Sequence, residues 1–368
     1  LLEGEIRVVT MRLDKPVVAV STDDAGLVDW LIRSEASKAL DPDKVVLDDV
    51  EISDGTLAYR DAQTGLDLVF SGINATISAR SLAGPWRVEG TYQENGVPVA
   101  FQFATGRQAE DGSLRIKTDV TPAELPFAIA ADGVVRGGAD GLSYAGTYAV
   151  TEVVATGEDG KPAGPPGWRS EGSFTLTRDR LLIDRAVVSE GPPDRPSSLA
   201  GSMAIDLGRN ARFTAQVEAR QLDLDRSLGE GPKKPADVGT AARSLVAWLS
   251  GLPVPGIPGR LSFNVPGIVV GGAVIQDVRF DALLADGGWQ IEGLHARLPG
   301  QATIDADGTL STGERVGFGG AVRLAVGQPA TFASWWRGRS ELGAGRLLAP
   351  FELSGRATIN LSGIQVED

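Results

Sequence analysis

Few side chains in this sequence could carry catalysis, and their spacing argues against it. The single histidine, His295, lies between Leu294 and Ala296 in a strand-like run. The sequence places no serine and aspartate beside it for a triad, so it reads as a strand residue. Cysteine is absent, which removes disulfides, thiolate zinc sites and cysteine nucleophiles together. Asp305, Asp307 and Gly308 open like a calcium loop. That loop needs Gly at its sixth position and Glu at its twelfth, where this chain has Leu310 and Val316. The segment 305–308 is therefore predicted to be a β-turn. Asp223 and Asp225 alternate in LDLD, which predicts a solvated strand face. Residues 317–322, GFGGAV, lack the last glycine of a dinucleotide loop and read as strand and turn. No nucleophile elbow or phosphate loop occurs, and no carboxylate pair stands out for glycoside hydrolysis. Asn74 opens a glycosylation-type triplet with Thr76. The expectation is a protein that is not an enzyme and uses no metal or cofactor.

What the sequence does build is strands. Between Asp48 and Gly106, short alternating runs are separated by Asp-Gly, Thr-Gly, Ser-Gly, Gly-Pro and Asn-Gly breaks. Leu66, Leu68 and Phe70 share one parity, as do Ile73, Ala75 and Ile77, then Trp86 and Val88, then Val97, Val99, Phe101 and Phe103. Period two puts one apolar face on each strand, and the breaks supply turn residues. This is an antiparallel meander with no room for helices between its strands. Similar signals recur every eight to twelve residues or so up to Arg226, interrupted by Pro/Gly-rich loops at 157–167 and 190–196.

Composition agrees. Apolar residues make up 42% of the chain, enough for a core, and the 47 glycines fall mostly at strand ends. The net charge of −13, without a basic stripe, excludes a nucleic-acid partner and disfavours anionic membrane surfaces. Only Lys15, Lys38, Lys44, Lys117, Lys161, Lys233 and Lys234 are lysine among 35 basic residues, a bias ascribed to GC-rich coding. No run of 18 apolar residues is present. The opening reads as the middle of a strand-bearing unit, so an anchor or export signal is expected upstream.

The expected organisation has four parts. Residues 1–44 hold strands and an amphipathic helix over 24–40, with Leu27, Val28, Trp30, Leu31 and Leu40 on its apolar side. Residues 45–228 form a first meander body. Residues 229–258 are a Pro/Gly linker with a short helix around Leu245, Val246, Trp248 and Leu249. Residues 259–368 form a second meander, with a helical turn over 329–338. One internal echo ties the two meanders together: GPWRVEG at 84–90 and GGWQIEG at 287–293. Apolar strands flank both, so two copies of one β module are expected. Trp86 and Trp289 are read as large core or rim anchors.

These residues resemble the AsmA family of bacterial envelope proteins. The resemblance rests on D-G-x-L-x-Y-x-D at 54–61, the strand around Ile73 to Ile77, and S-L-x-G-P at 81–85. It extends to the opening GEIRVVTMRLDKPVVAVSTDDAG and to IDLGRNARFTAQVEARQLDLDR at 205–226. It implies an inner-membrane anchor through an N-terminal helix, a long curved sheet in the periplasm, and a role in outer-membrane biogenesis. It also implies likeness to bridge-like lipid-transfer proteins that move phospholipid between membranes.

The expected fold is therefore mainly β: an elongated, curved antiparallel sheet of repeated meander modules, groove-like or taco-like, with two or three short helices. Strands of five or six residues, at about 3.3 Å each, would give a wall about one acyl chain across. An apolar trough left open would need a cover or a ligand. The segments near Trp248 and Trp335 are candidate covers. The expected lipid-contacting residues are Leu68, Phe70, Ile73, Ile77, Trp86, Val88, Phe101, Phe103, Phe280, Trp289 and Ile291, with phospholipid or another acyl lipid as the partner. The alternative is a closed scaffold that contacts envelope proteins and aids outer-membrane protein assembly without lipid. A secreted hydrolase or carbohydrate binder is disfavoured by the evenly spaced charges.

Overall fold

The computed structural model describes residues 6–22, 28–29, 44–61, 64–138, 141–154, 167–190, 197–219, 222–228, 237–241, 244, 256–285, 288–312, 317–337, 349–360 and 363–367. The fold is mainly β, as expected. The chain divides into two compact units, one of Leu1–Val188 with Ala204–Ala211, the other of Ser189–Met203 with Arg212–Asp368. The division falls near 188–212, not at the anticipated 228. The strands just before 228 pair with later ones, and that pairing carries them into the second unit.

The first unit opens with four short strands: β1 (Ile6–Val8), β2 (Met11–Asp14), β3 (Val17–Thr22) and β4 (Val28–Asp29). β1, β2 and β3 lie end to end, parallel to one long strand, β5 (Val45–Asp61). The breaks between them have local causes. Lys15 takes φ 50° and Asp54 of β5 takes φ 52°, so both chains bulge at the same level. Pro16 has no N–H to give, and its carbonyl accepts instead from Thr56 at 2.8 Å. The helix expected over 24–40 lies mostly outside the described residues. Its described part, Val28–Asp29, is strand β4, which pairs antiparallel with β3.

From β5 the chain meanders through β6 (Asp67–Ala79), β7 (Trp86–Glu94), β8 (Val97–Thr105), β9 (Leu114–Pro122), β10 (Phe127–Gly138), β11 (Gly141–Glu152), β12 (Trp168–Leu176), β13 (Arg180–Glu190) and β14 (Ser197–Asp206). Each strand from β5 to β12 pairs antiparallel with the next. The β7–β8 hairpin turns on Asn95 and Gly96, both at positive φ, as a tight two-residue turn requires. Strands β6 to β12 run to nine residues or more, longer than the five or six expected.

The second unit repeats this plan. β15 (Arg212–Glu218) and β16 (Leu222–Asp223) lie end to end, parallel to β17 (Gly259–Val270). Helix α1 (Leu224–Leu228) follows β16 directly, so Asp223 and Asp225 do not share a strand face as expected. Residues 238–241 and 244 are helical, and the rest of the predicted helix, with Trp248, lies outside the described residues. From β17 an antiparallel run continues through β18 (Ala273–Ala285), β19 (Gly288–Leu298), β20 (Ala302–Ser311), β21 (Gly317–Val326), β22 (Phe351–Asn360) and β23 (Gly363–Glu367). Helix α2 (Pro329–Arg337) leaves β21 and matches the predicted helical turn. Residues 305–308 run inside β20, not through a turn. Among the described residues, no helix is long and apolar enough to cross a membrane.

In both units, a segmented strand runs parallel to a long strand that begins the meander, and the echoed tryptophan sits at the start of the third strand of the run. Trp86 stands opposite Ala79 and Trp289 opposite Leu284. The sequence echo marks one structural position in two modules.

Candidate functional site

Cross-strand partners point to the same face of a sheet, so the register sorts the first unit's side chains. One row runs Ile52, Ala75, Gly90, Phe101, Val120, Ile129, Val150 and Ser170. The next runs Val50, Ile77, Val88, Phe103, Thr118, Ala131, Tyr148 and Gly172. By the same pairing, Tyr59, Phe70, Trp86, Tyr92, Phe127, Tyr144, Trp168 and Phe174 lie on this face too. Every aromatic residue of β5 to β12 is there. The opposite face carries Glu51, Thr76, Glu89, Gln102 and Asp119 in one row and Arg87, Lys117 and Asp132 in another.

Bulges keep the apolar face continuous. Leu68 and Phe70 are at even positions, whereas Ile73, Ala75 and Ile77 are odd. Gly72, at φ 60°, adds one residue and brings both sets to one side. The Asn74 side chain secures this bulge. Its amide group donates to the Gly72 carbonyl at 3.1 Å, and its oxygen accepts from the Asp54 amide at 3.1 Å.

Glycines identify the apolar face as the concave one. A Cβ on Gly90 would lie 2.2 Å from the Asn74 carbonyl oxygen, and one on Gly146 would lie 2.1 Å from that of Asp132. Cβ atoms on this face are driven into the neighbouring strand, as happens where a sheet bends toward that face. Glycine at these positions permits the bend.

Among the described residues, the face is lined but not covered. Ile73, Ile77, Trp86, Val88, Phe101 and Phe103 are half-buried, and Leu68, near the strand end, is 40% exposed. Phe70 meets Tyr92 edge-on at 5.3 Å, and Tyr92 meets Phe101 at 6.1 Å. Tyr144 meets Phe174 at 4.8 Å. Burial lifts the phenols of Tyr92 and Tyr144 above their ordinary value, so they stay neutral.

The second unit treats the same face differently. Phe280 stacks on Phe263 at 5.0 Å, Trp289 meets Phe213 at 6.1 Å, and Ile291 is buried. At the strand ends, Val238, Ala241, Val270 and Trp335 form a buried cluster, with Leu224, Ile275, Leu298 and Phe332 packed against it. The Trp335 indole donates to the Val270 carbonyl at 2.9 Å. Asp225 accepts from the Gly271 and Gly272 amides at 2.8 Å each. Trp335 thus covers the strand ends of this unit.

The polar residues singled out in the sequence have structural partners. The His295 ring nitrogen Nδ1 lies 2.7 Å from Asp305 Oδ1. Asp307 accepts from the Gly293 amide, at another bulge. Asp223 accepts from the Arg226 amide. Among the described residues, no three carboxylate or histidine groups are grouped to hold a metal. The polar face of the first unit has an open depression of about 700 Å³ over Glu51, Thr76, Glu89, Gln102 and Asp119. Its three carboxylates make it the opposite of an acyl site.

Sequence reasoning missed the aromatics beyond Phe103: Phe127, Tyr144, Tyr148, Trp168 and Phe174. Their parity was readable, but their common face depends on the register. It also missed the kink glycines, whose signal is a glycine at an apolar-parity position within a strand. Comparison with family models, with curated proteins and with solved structures finds no match to this chain.

Proposed function

We propose that the apolar concave face of the first unit binds the acyl chains of phospholipid, in an AsmA-like role in the bacterial envelope. The observation that carries this is segregation. All aromatics of β5 to β12 share one concave, half-exposed face, whose charges Asp61, Glu94 and Glu152 stand at strand ends, while Glu51, Glu89, Arg115, Lys117, Asp119 and Asp132 sit on the other. Four inner rows of β7 to β9, from Trp86 to Tyr92, span about 20 Å at 3.3 Å per residue. That matches an extended acyl chain. Side chains left half-exposed on such a face gain from burial, about 25 cal/mol per Å² covered. An acyl chain can supply that cover without disturbing the ladder. The chain works by binding and guiding lipid, not by catalysis. On the family resemblance, it acts in the periplasm, anchored to the inner membrane.

Protein purified from bacterial cells should release phospholipid on solvent extraction, seen by mass spectrometry in stoichiometric amount. Protein carrying no acyl lipid would overturn the reading. A second reading, a lipid-free scaffold for envelope proteins, draws on the helices packed over the strand ends of the second unit. It predicts empty protein in that same extraction.

A further inference from the structure

Within the first unit, the far end of β5 is tied to turns distant in sequence. Asp61, 1% exposed, takes the Arg178 guanidinium as a fork, with Nε at 2.5 Å from Oδ2 and Nη2 at 2.6 Å from Oδ1. Arg178 lies in the turn after β12, 117 residues away in sequence. The Asp61 carboxylate also accepts from the Thr64 amide at 3.0 Å. The same β5–β6 turn meets a third turn, where the Thr64 carbonyl accepts from the Arg209 amide. Gly65 and Gly208, both at positive φ, allow that approach: a Cβ on Gly65 would lie 2.3 Å from Arg209 Nε, and one on Gly208 would lie 2.7 Å from the Thr64 oxygen. The second and third turns are joined by the Leu207 amide donating to Asp179 at 2.7 Å.

We infer that this three-turn contact is a clasp, with the Asp61–Arg178 pair as its closure, that holds the curl of the first unit's sheet and limits how far the concave face opens. The ladder ties only neighbouring strands, so small changes of twist between pairs can add up along it. The clasp joins the start of the meander to its far strands and removes that freedom. Its chemistry suits a two-state closure. A buried bidentate pair is geometrically specific, and either member left alone in the same site is strongly unfavourable. Partial opening is therefore penalised, and the contact is either made or broken with both groups returned to water. The consequence for lipid entry rests on the acyl-binding reading above. The mechanical claim rests on the clasp geometry alone.

The test uses the absence of native cysteine. Cysteines replacing exposed Asp67 and Arg180 carry spin labels, and pulsed electron resonance reads the distance between them. The parent should give one narrow, short distribution. Arg178→Met and the double variant Asp61→Asn/Arg178→Met should each give a longer, broader one. The double variant leaves no unpaired charge, so it keeps the test available if the single variant misfolds. Exchange of fluorescent phospholipid should quicken by about tenfold, equivalent to 1.4 kcal/mol of closure. An unchanged distance in folded double variant would overturn the clasp, whatever happened to its melting temperature. Longer distances without lipid exchange in any variant would keep the clasp and overturn the acyl-binding reading.

Discussion

The two units share a topology and differ in what they do with its apolar face. Each begins with a broken strand parallel to a long one, then meanders antiparallel, with a tryptophan opening the third strand of the run. In the second unit, Val265, Val270, Ala282, Leu284, Ile291, Ala296, Ala302, Ala306, Val326 and Trp335 are all buried. In the first, the buried apolar residues described are Val45, Val50, Ala75, Ala79, Val99 and Phe174. Exposed large apolar residues are skewed the other way. Most of those described lie in the first unit, among them Leu68, Ile129, Leu142 and Leu176 on the apolar face, against Val274, Trp336 and Leu353 in the second. A meander of this kind does not need a second layer to hold together, because its ladder satisfies the backbone. Whether the apolar face is closed depends on what the connections place over it. In the second unit these are residues 238–241 and α2.

The two units should differ most at their tryptophans. Trp335→Ala removes a buried indole and its bond to Val270, and should cost about 3–5 kcal/mol in urea unfolding. Trp86→Ala, half-exposed in the first unit, should cost about 1–2 kcal/mol. Equal losses would mean that the two units are packed alike. Effects below that of Trp335→Ala, and alike in the two units, are expected where the units agree. Gly146→Val and Gly320→Val both push a side chain into a neighbouring carbonyl, at 2.1 and 2.2 Å from Cβ. Each should cost about 1–3 kcal/mol. Gly319→Ala, with nothing within 4 Å, should stay within about 0.5 kcal/mol. A tolerated Gly146→Val would show that the sheet does not need its bend there.

The smallest effect is electrostatic and belongs to the polar face. Hydrogen bonding from Arg115, reinforced by Lys117, holds the Asp132 carboxyl at about 2, against an ordinary 3.8. The pair therefore supports the fold above the ordinary carboxylate value, and that support is lost as pH falls toward 2. A carbon-detected NMR titration should show Asp132 ionised at pH 3. In Arg115→Ala its midpoint should move up toward the ordinary value. An unmoved midpoint would take Arg115 out of the account.

Much of this was legible in the sequence because period two is a local signal. Phe101 and Phe103 alternate with Gln102 and Ala104, and Asn95-Gly96 announces its hairpin. The Trp86 and Trp289 echo could be read because both modules need a large side chain at one topological position. Other features were not legible because they depend on partners far away. The Gly72 bulge joins two parities into one face, which no single strand reveals. Asp225 resembled a solvated strand carboxylate until the β17–β18 turn supplied two amides. Asp305 and Asp307 resembled a turn until His295 and Gly293 were placed opposite them. Asp61 and Arg178 are too far apart for any sequence spacing to pair them.

On the acyl-binding proposal, one face of the first unit meets lipid and the other does not. Phe103 and Gln102 are neighbours in β8 that point to opposite faces. A photoreactive benzoylphenylalanine replacing each in turn, irradiated in cells and followed by intact-protein mass spectrometry, compares the two faces directly. A phospholipid adduct is expected at position 103 and none at 102. Adducts at neither position, or equally at both, would contradict the proposal.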